Sequence, residues 1–177
     1  MKKYISQEEV KNQIHNIIRD MHNTHHWKPD MIIGIGRDGI VPAIMLGSYL
    51  NIPVYASNVT EKCVDCGLAE DIFGYISKEN RVDDAAFCLE IRKKVLFVVG
   101  VNPNNSELSQ LIDDLQKSCL PDDPSWNDIW FKSVRFAALI DTSPSTFKNI
   151  EYCGQEEYNN IEYSTEYVFP WNWWWNS

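Results

Sequence analysis

The sequence predicts an α/β protein with one mostly parallel sheet and helices packed on its faces. Two kinds of segment alternate along the chain and lead to this prediction. Short continuous apolar runs, at Met31–Ile35 and Val95–Val99, are typical of strands buried on both faces. A run from Leu108 to Leu115 instead repeats its apolar residues at helical spacing. The length of 177 residues fits a single domain, 1–177, with a sizeable core.

The first helix is predicted to begin at Ser6. Ser6 and Glu9 have the spacing of a capping box, in which each side chain bonds a free backbone N–H of the first turn. Apolar residues then follow on one helical face, which is expected to pack on the sheet. They are Val10, Ile14, Ile17, Ile18 and Met21.

The strand at Met31–Ile35 is expected to lead through a turn, Gly36–Gly39, into a second helix. Pro42 suits the first turn of a helix, so this helix is predicted over Ala43 to Leu50. Asn51 is a candidate left-handed stop, because asparagine tolerates a positive φ. Ile52 to Ala56 is the next predicted strand.

The rest of the chain is less regular. Residues 57–92 are polar and mixed, and we interpret them as a flap or hood outside the main sheet. Trp130 to Ile140 and Glu166 to Phe169 are predicted strands. Residues 165–177 form an aromatic tail that ends in several tryptophans, which rarely stay in water, so packing in the core or between subunits is expected.

Charge and composition exclude several classes of function. The net charge of −9 argues against non-specific nucleic-acid binding, which needs a basic face. No apolar run reaches the ~20 residues of a membrane span, and the N-terminus lacks the apolar core of a signal peptide. We therefore expect a cytoplasmic protein with no membrane and no nucleic-acid partner.

The cysteines and histidines are weak candidates for a metal site. Cys63 and Cys66 resemble half of a zinc knuckle, but a structural zinc needs four ligands and no second pair follows. Free thiols are the expected state of the five cysteines. His22, His25 and His26 are interpreted as a polar helix end rather than as ligands. No metal site is predicted from these residues.

A ligand site is predicted at the carboxyl edge of the sheet. Two segments, Gly36–Gly39 and Gly100–Ser106, each leave a predicted strand and enter a helix. Ligands of open α/β sheets bind beyond the carboxyl ends of the strands, where helix N-termini present free N–H groups to anions. Arg37 is a candidate anion clamp; its alternative is a surface ion pair with Asp38 or another acid. For Asn102 to Ser106 the alternative is a simple helix cap.

The residues of this edge resemble a type I phosphoribosyltransferase, closest to the purine (hypoxanthine, guanine or xanthine) branch. The stretch KPDMIIGIGRDGIVPAIMLGSYLNIPVY is similar to the family's first strand, its pyrophosphate loop and the next helix. The resemblance implies that Gly36, Arg37, Asp38 and Gly39 form that loop, with Arg37 at its arginine and Asp38 replacing a glycine. It implies a base pocket with Thr142, Phe169 and Trp171, where Thr142 is the nearest match to a lysine of the family.

The loop for phosphoribosyl diphosphate (PRPP) departs from the family pattern. That pattern has two acids that hold the ribose diol, then a candidate proton carrier, and then residues that cradle the 5′-phosphate. Val99 and Gly100 stand at the two acids, and Pro103 stands at the later Asp. Asn104 and Asn105 stand at the Thr-Gly pair, and Glu107 at the final Thr, while Asn102 and Ser106 complete the degenerate loop.

The resemblance therefore implies binding of a purine nucleotide or related phosphate ligand, with transfer from PRPP weakened by the lost acids. Loss of a proton carrier alone costs ~10²–10⁴ in rate. Mg²⁺ is the implied cofactor if the protein is catalytically active, and a homodimer or higher homo-oligomer is the implied assembly. The alternative is a non-catalytic scaffold or interaction protein that works through the tryptophan-rich tail and the flap.

Overall fold

The computed structural model describes residues 1–57, 93–102, 107–118, 126–142, 147–158 and 165–173. It confirms the predicted α/β fold. The central sheet has five parallel strands in the order β3-β2-β4-β5-β6. The strands are β2 (Met31–Ile35), β3 (Val54–Ser57), β4 (Val95–Asn102), β5 (Val134–Thr142) and β6 (Tyr152–Glu157).

A second, two-stranded parallel sheet joins the two ends of the described chain. It pairs β1 (Lys2–Tyr4) with β7 (Glu166–Val168). The described helices are α1 (Gln7–Arg19), α2 (Gly36–Leu50), α3 (Glu107–Ser118), α4 (Trp126–Ile129) and α5 (Pro170–Trp173), and a π-helical turn, Asp20–Thr24, extends α1. None of the described helices is long and apolar enough to cross a bilayer.

Helices cover both faces of the central sheet. On one face the strands pack against α3 and α4 through Leu108, Leu111 and Ile129. On the other face α1 and α2 pack through Val10, Ile14 and Leu46. β2 and β4 are buried on both sides, which explains why Met31–Ile35 and Val95–Val99 are continuous apolar runs.

The first helix agrees with its prediction. Ser6 accepts a hydrogen bond from the Glu9 backbone N–H, and the Glu9 carboxylate accepts one from the Ser6 N–H at 2.7 Å, which completes the capping box. The predicted apolar face is buried throughout. The helix is fixed against β6 by a hydrogen bond from the Asn16 side chain to the carbonyl of Gly154.

The prediction for Gly36–Gly39 is wrong in one respect. These residues are the first turn of α2 rather than a separate turn, so the helix begins well before Ala43. Pro42 lies inside the helix, past its first turn, where it has no N–H to donate to the carbonyl of Asp38. Asn51 ends the helix as predicted, with φ 55° and ψ 56°.

Other strand boundaries also differ from the sequence prediction. β3 spans Val54–Ser57 rather than Ile52 to Ala56, so Ser57 belongs to the sheet and not to the flap predicted over 57–92. β4 continues through Gly100 to Asn102, because it pairs with β5 as far as Asp141. β5 begins at Val134 rather than Trp130, because the chain turns at Phe131, whose φ is 62°. The predicted strand at Glu166 exists, but it pairs with β1 and does not join the central sheet.

Two glycines allow the start of α2 to lie directly against β4. A Cβ at Gly39 would be 2.2 Å from the carbonyl oxygen of Val98, and a Cβ at Gly100 would be 2.6 Å from the Cβ of Asp38. Real Cβ atoms do not approach other atoms so closely, so any side chain at these positions would push the helix away from the strand.

We expect Gly39→Ala to destabilise the protein by about 3 kcal/mol or more, since the added methyl group meets rigid backbone. Gly36→Ala is the matched control. Position 36 has open space, with nothing within 4 Å of a Cβ, and only its φ of +62° is unfavourable. That strain costs about 1–2 kcal/mol. Chemical denaturation measures both values, and equal losses for the two variants would contradict this account.

Glu151 gives a prediction about pH. Burial raises the pKa of its carboxyl above the usual 4.5, against hydrogen bonds from backbone N–H groups and the nearby Arg135 charge, which lower it. The protonated carboxyl of Glu151 therefore contributes stability at acidic pH. This contribution is lost as the pH rises through the pKa that the carboxyl has in the folded protein. Glu151→Gln keeps an acceptor for the Phe136 N–H.

We therefore expect Glu151→Gln to raise the Tm relative to wild type at pH 7, with the difference shrinking below about pH 4.5. Thermal unfolding across this range measures the effect. A Tm difference of the same size at every pH would contradict a role for ionisation.

Candidate functional site at the carboxyl edge of the sheet

The carboxyl ends of β2, β4 and β5 form the predicted edge. β3 follows β2 on one side of it, whereas β4 lies on the other side, so the strand order reverses between β2 and β4. Such a reversal opens a crevice between the loops that leave the two strands, and ligands of open α/β sheets bind there. The edge predicted from the sequence thus coincides with the switch point of the topology.

The first turn of α2 lies at this switch point. The residue before it, Ile35, provides no side-chain cap for the helix. The free N–H groups and the positive end of the helix dipole therefore remain available to an anion. Arg37 lies in this turn with its side chain exposed, and within the described part of the chain no hydrogen bond or ion pair holds it.

Asp38 is held by the C-terminal helix and not by Arg37. Its Oδ1 accepts a hydrogen bond from Trp171 Nε1 at 3.2 Å and another from Asn172 Nδ2 at 2.7 Å. The alternative of a surface pair between Arg37 and Asp38 is not observed among the described ion pairs. The carboxylate of Asp38 is therefore directed to α5, and no described acid pairs with Arg37.

The residues expected around a base are divided between two places. Phe169 is fully buried, and its ring stacks on Trp171 with 4.8 Å between centroids and an interplanar angle of 2°. Only the half-buried Trp171 of this pair reaches the surface. Thr142 is buried at the end of β5, where its hydroxyl donates to the carbonyl of Asn102 at 2.8 Å. Its hydroxyl thus joins the ends of β5 and β4.

Asn102 is the last residue of β4, and its side chain is completely buried. Its Nδ2 donates to Asp141 Oδ1 at 2.7 Å and to the carbonyl of Phe147 at 2.9 Å. Its Oδ1 has no hydrogen-bond partner among the described residues. A buried polar atom of this kind normally has a partner, so Asn102 carries an unused acceptor at the edge.

Asp141 is a site residue that the sequence analysis missed. It is half-buried at the carboxyl end of β5 and lies opposite Asn102 in the strand register. A signal was available, because Asp141 is the first charged residue after the continuous apolar run Phe136–Ile140. An acid in that position marks the carboxyl end of a buried strand.

The degenerate loop is only partly described. Val99 packs in the core on the side of α3, and Gly100 lies against Asp38, so both positions face the interior. α3 begins at Glu107, as expected for a helix after the loop. Pro103, Asn104, Asn105 and Ser106 lie outside the described residues, as does the side chain of Glu107.

The described residues hold no group of three or more metal-binding side chains. Cys63 and Cys66, like the rest of the predicted flap after Ser57, lie outside the described residues.

His25 packs its ring against Tyr152, with 5.3 Å between centroids. Cys153 is a free thiol, and burial raises its pKa to about 11, so it is protonated and unreactive at neutral pH.

A groove lies beside the site, between α1, α2 and α5. Its volume is about 430 Å³ and its lining is mainly apolar, from Val10, Val41, Met45, Pro170 and Trp171. Trp171 thus lines the groove with its ring and bonds Asp38 with its Nε1. The groove and the first turn of α2 are linked through this one side chain.

We expect Asp38→Ala to release α5 from the start of α2, because Trp171 and Asn172 lose their shared acceptor. Amide hydrogen exchange of residues 171–173 should become faster, and stability should fall by about 1–3 kcal/mol. Asp38→Asn is the matched control, since it keeps an oxygen at the acceptor position. Unchanged exchange in Asp38→Ala would show that the stacked rings hold α5 without the carboxylate.

The comparisons with known proteins agree with this geometry. No protein-family model matches the chain, and no curated protein matches it. Among solved structures, a purine phosphoribosyltransferase from Pyrococcus horikoshii is similar with a TM-score of 0.61 and 20% identity, covering 97% of this chain and 94% of that chain. The xanthine-guanine-hypoxanthine phosphoribosyltransferase of Helicobacter pylori gives a TM-score of 0.56 and 14% identity, with coverages of 97% and 94%.

A third similar structure is a hypothetical protein from Neisseria gonorrhoeae with bound ppGpp. Its TM-score is 0.53 at 17% identity, and the match covers 97% of this chain and 89% of that one. These identities are low, so the comparisons bear on architecture. Taken with the parallel sheet and its switch point, they show that this chain has the fold of the purine phosphoribosyltransferases.

Proposed function

We propose that the protein binds a purine nucleotide or a related phosphate ligand at the carboxyl edge of its sheet. The observation that carries this proposal is the uncapped first turn of α2 at the switch point, with Arg37 exposed and unpaired among the described residues. Backbone N–H groups and a guanidinium together suit a phosphate, because the planar fork of arginine can bond two of its oxygens.

The solved structures of the same fold support this ligand class. Two of them are named as purine phosphoribosyltransferases, and a third contains ppGpp, a guanine nucleotide with several phosphate groups. The position of Asp38 also supports it. With its Oδ1 bonded to Trp171 and Asn172, this carboxylate is engaged by two donors and repels an incoming phosphate less than a free acid.

We infer that transfer from PRPP by the family's usual mechanism is not the main activity. Val99 and Gly100 stand where that mechanism needs two acids, and both pack inward. Any remaining transfer would displace pyrophosphate at the anomeric carbon through an oxocarbenium-like state. Arg37 and the N–H groups of Gly36–Gly39 would then stabilise the leaving group.

We include Mg²⁺ in this proposal as a cation that binds together with the phosphate ligand. Mg²⁺ usually keeps several waters and is held by one or two carboxylates together with phosphate oxygens. At the described edge the second carboxylate oxygen of Asp38, next to Arg37 in the chain, has no hydrogen bond among the described residues, which fits that sparse donor set. Bound Mg²⁺ would neutralise the charge of a diphosphate, while Arg37 would orient it.

The proposal is tested by calorimetric titration of the protein with PRPP and, separately, with inorganic pyrophosphate, each with and without Mg²⁺. We expect Arg37→Ala to weaken pyrophosphate binding at least about tenfold, the value of a lost charge-assisted hydrogen bond. Arg19→Ala is the matched control. It removes the same charge from an exposed arginine at the far end of α1, whose Nε lies 3.3 Å from Asp20.

Two outcomes of this titration would contradict the proposal. No binding of either compound by the wild-type protein would mean that the edge does not hold phosphates. Equal weakening by Arg37→Ala and Arg19→Ala would mean that binding follows the overall charge and not the first turn of α2.

The second candidate is a non-catalytic scaffold or homo-oligomer that works through the aromatic tail. Exposed rings at the junction of β1 and α5 favour it. Tyr4 and Trp173 are 61% and 39% exposed and meet edge-to-face, with 6.4 Å between centroids. Aromatic side chains at a surface often provide the central contacts of an interface.

We expect Trp173→Ala to lower the oligomeric state, or the affinity between subunits by about tenfold or more, if this surface is an interface. Light scattering coupled to size exclusion measures the change. Tyr49→Ala is a matched control, because Tyr49 is an exposed aromatic residue on α2. An unchanged mass for Trp173→Ala across the concentration range would remove this candidate.

A further inference from the structure

Asp141 has two carboxylate oxygens in different situations. Oδ1 accepts the hydrogen bond from Asn102 Nδ2 at 2.7 Å. The other oxygen has no hydrogen bond within the described part of the chain. Because Asp141 is only half-buried and follows the apolar run of β5, this oxygen is an acceptor at the edge of the sheet that no described residue uses.

The orientation of the Asp141 carboxylate is fixed by the buried side-chain amide of Asn102 on the neighbouring strand. Asn102 is 0% exposed, and its Nδ2 bonds both Asp141 and the carbonyl of Phe147. Both partners are acceptors, so the amide of Asn102 has only one arrangement that satisfies them. The carboxylate of Asp141 is therefore held by a rigid, buried donor, as expected for a residue that positions a ligand.

The carboxyl edge of the sheet carries a positive charge at the end of β2 and a negative charge at the end of β5. The first turn of α2, at the end of β2, carries Arg37 and the positive end of a helix dipole. The end of β5 carries Asp141. One strand, β4, separates β2 from β5, so the ends of β2 and β5 lie two strand spacings apart across the sheet, which is about 10 Å. A ligand that spans both must have an anion at one end and a hydrogen-bond donor at the other.

We propose that Asp141 is a specificity residue that accepts a hydrogen bond from an amino group on the base of a nucleotide whose phosphate lies at Arg37. This rests on the phosphate site proposed above. The separation selects the base, because the ribose hydroxyls of a nucleotide lie closer to its phosphate than the far edge of the base does. A carboxylate accepts from amino groups and repels carbonyl oxygens, so it favours a base with an amino group over one without it.

The test compares guanosine 5′-monophosphate with inosine 5′-monophosphate, which differ by one exocyclic amino group, in the absence of Mg²⁺. We expect the wild-type protein to bind the guanosine compound about tenfold more tightly, the value of a hydrogen bond to a charged acceptor. Inorganic pyrophosphate, which has no base, reports the phosphate site alone.

Asp141→Asn is the sharpest variant, because Asn102 determines which way its amide points. The Asn102 donor requires an oxygen at the former Oδ1 position, so the new NH₂ group must occupy the position of the free oxygen. An acceptor thus becomes a donor with no change in shape. We expect the preference for the guanosine compound to disappear, while binding of pyrophosphate stays within about twofold, since Asp141 is remote from Arg37.

Asp114→Asn is the matched control, because it removes the same charge from an exposed position on α3. If Asp141→Asn prefers the guanosine compound over the inosine compound as strongly as wild type does, and pyrophosphate still binds, the role of Asp141 is overturned and the phosphate site remains. Loss of the preference in Asp114→Asn as well would also overturn it. If the wild-type protein binds none of the three compounds, the phosphate site fails and this inference fails with it.

Discussion

The contact between the start of α2 and β4 determines most of this architecture. It exists because glycines occupy the places where the backbones meet, at Gly34, Gly39 and Gly100. A Cβ at Gly34 would be 2.6 Å from the Cα of Ile40, so the strand and the helix it leads into are also pressed together. The helix therefore starts without a loop at the end of β2, and its N-terminus is fixed at the point where the strand order reverses.

The same contact places Asp38, in the first turn of α2, against Gly100 of β4. At the start of α2, where we propose that an anion binds, a carboxylate is unfavourable unless donors satisfy it. Trp171 and Asn172 supply those donors from the other end of the chain, and the stacked ring of Phe169 supports Trp171 from the core. The site is thus completed by distant segments: a helix start from β2, a buried amide from β4, an acid from β5 and an aromatic pair after β7.

The elements predicted correctly from the sequence are those whose formation depends on residues close to one another in the chain. The capping box at Ser6, the buried runs of β2 and β4 and the stop at Asn51 all depend on neighbouring residues, and all were predicted correctly. Pro42 misled the prediction because packing against β4 overrides the usual preference of proline for a first turn. β1 and β6 were missed because short or polar strands become strands only through their distant partners. The role of Asn102 was hidden for the same reason, since its partners Asp141 and Phe147 lie far along the sequence.

The pairing of β1 with β7 has a consequence for how the chain folds as it is made. Lys2 pairs with Glu166, and α1 is fixed to β6 through Gln13 and Asn16. β1 and α1 are thus synthesised long before β7 and β6, and these native contacts cannot form until those strands have been made. Contacts between such distant residues slow folding, because a long loop must close before the contact stabilises it. The apolar face of α1, with Ile14 and Ile17, therefore stays without β6 until residues 152–157 have been made, and meanwhile it can form non-native contacts.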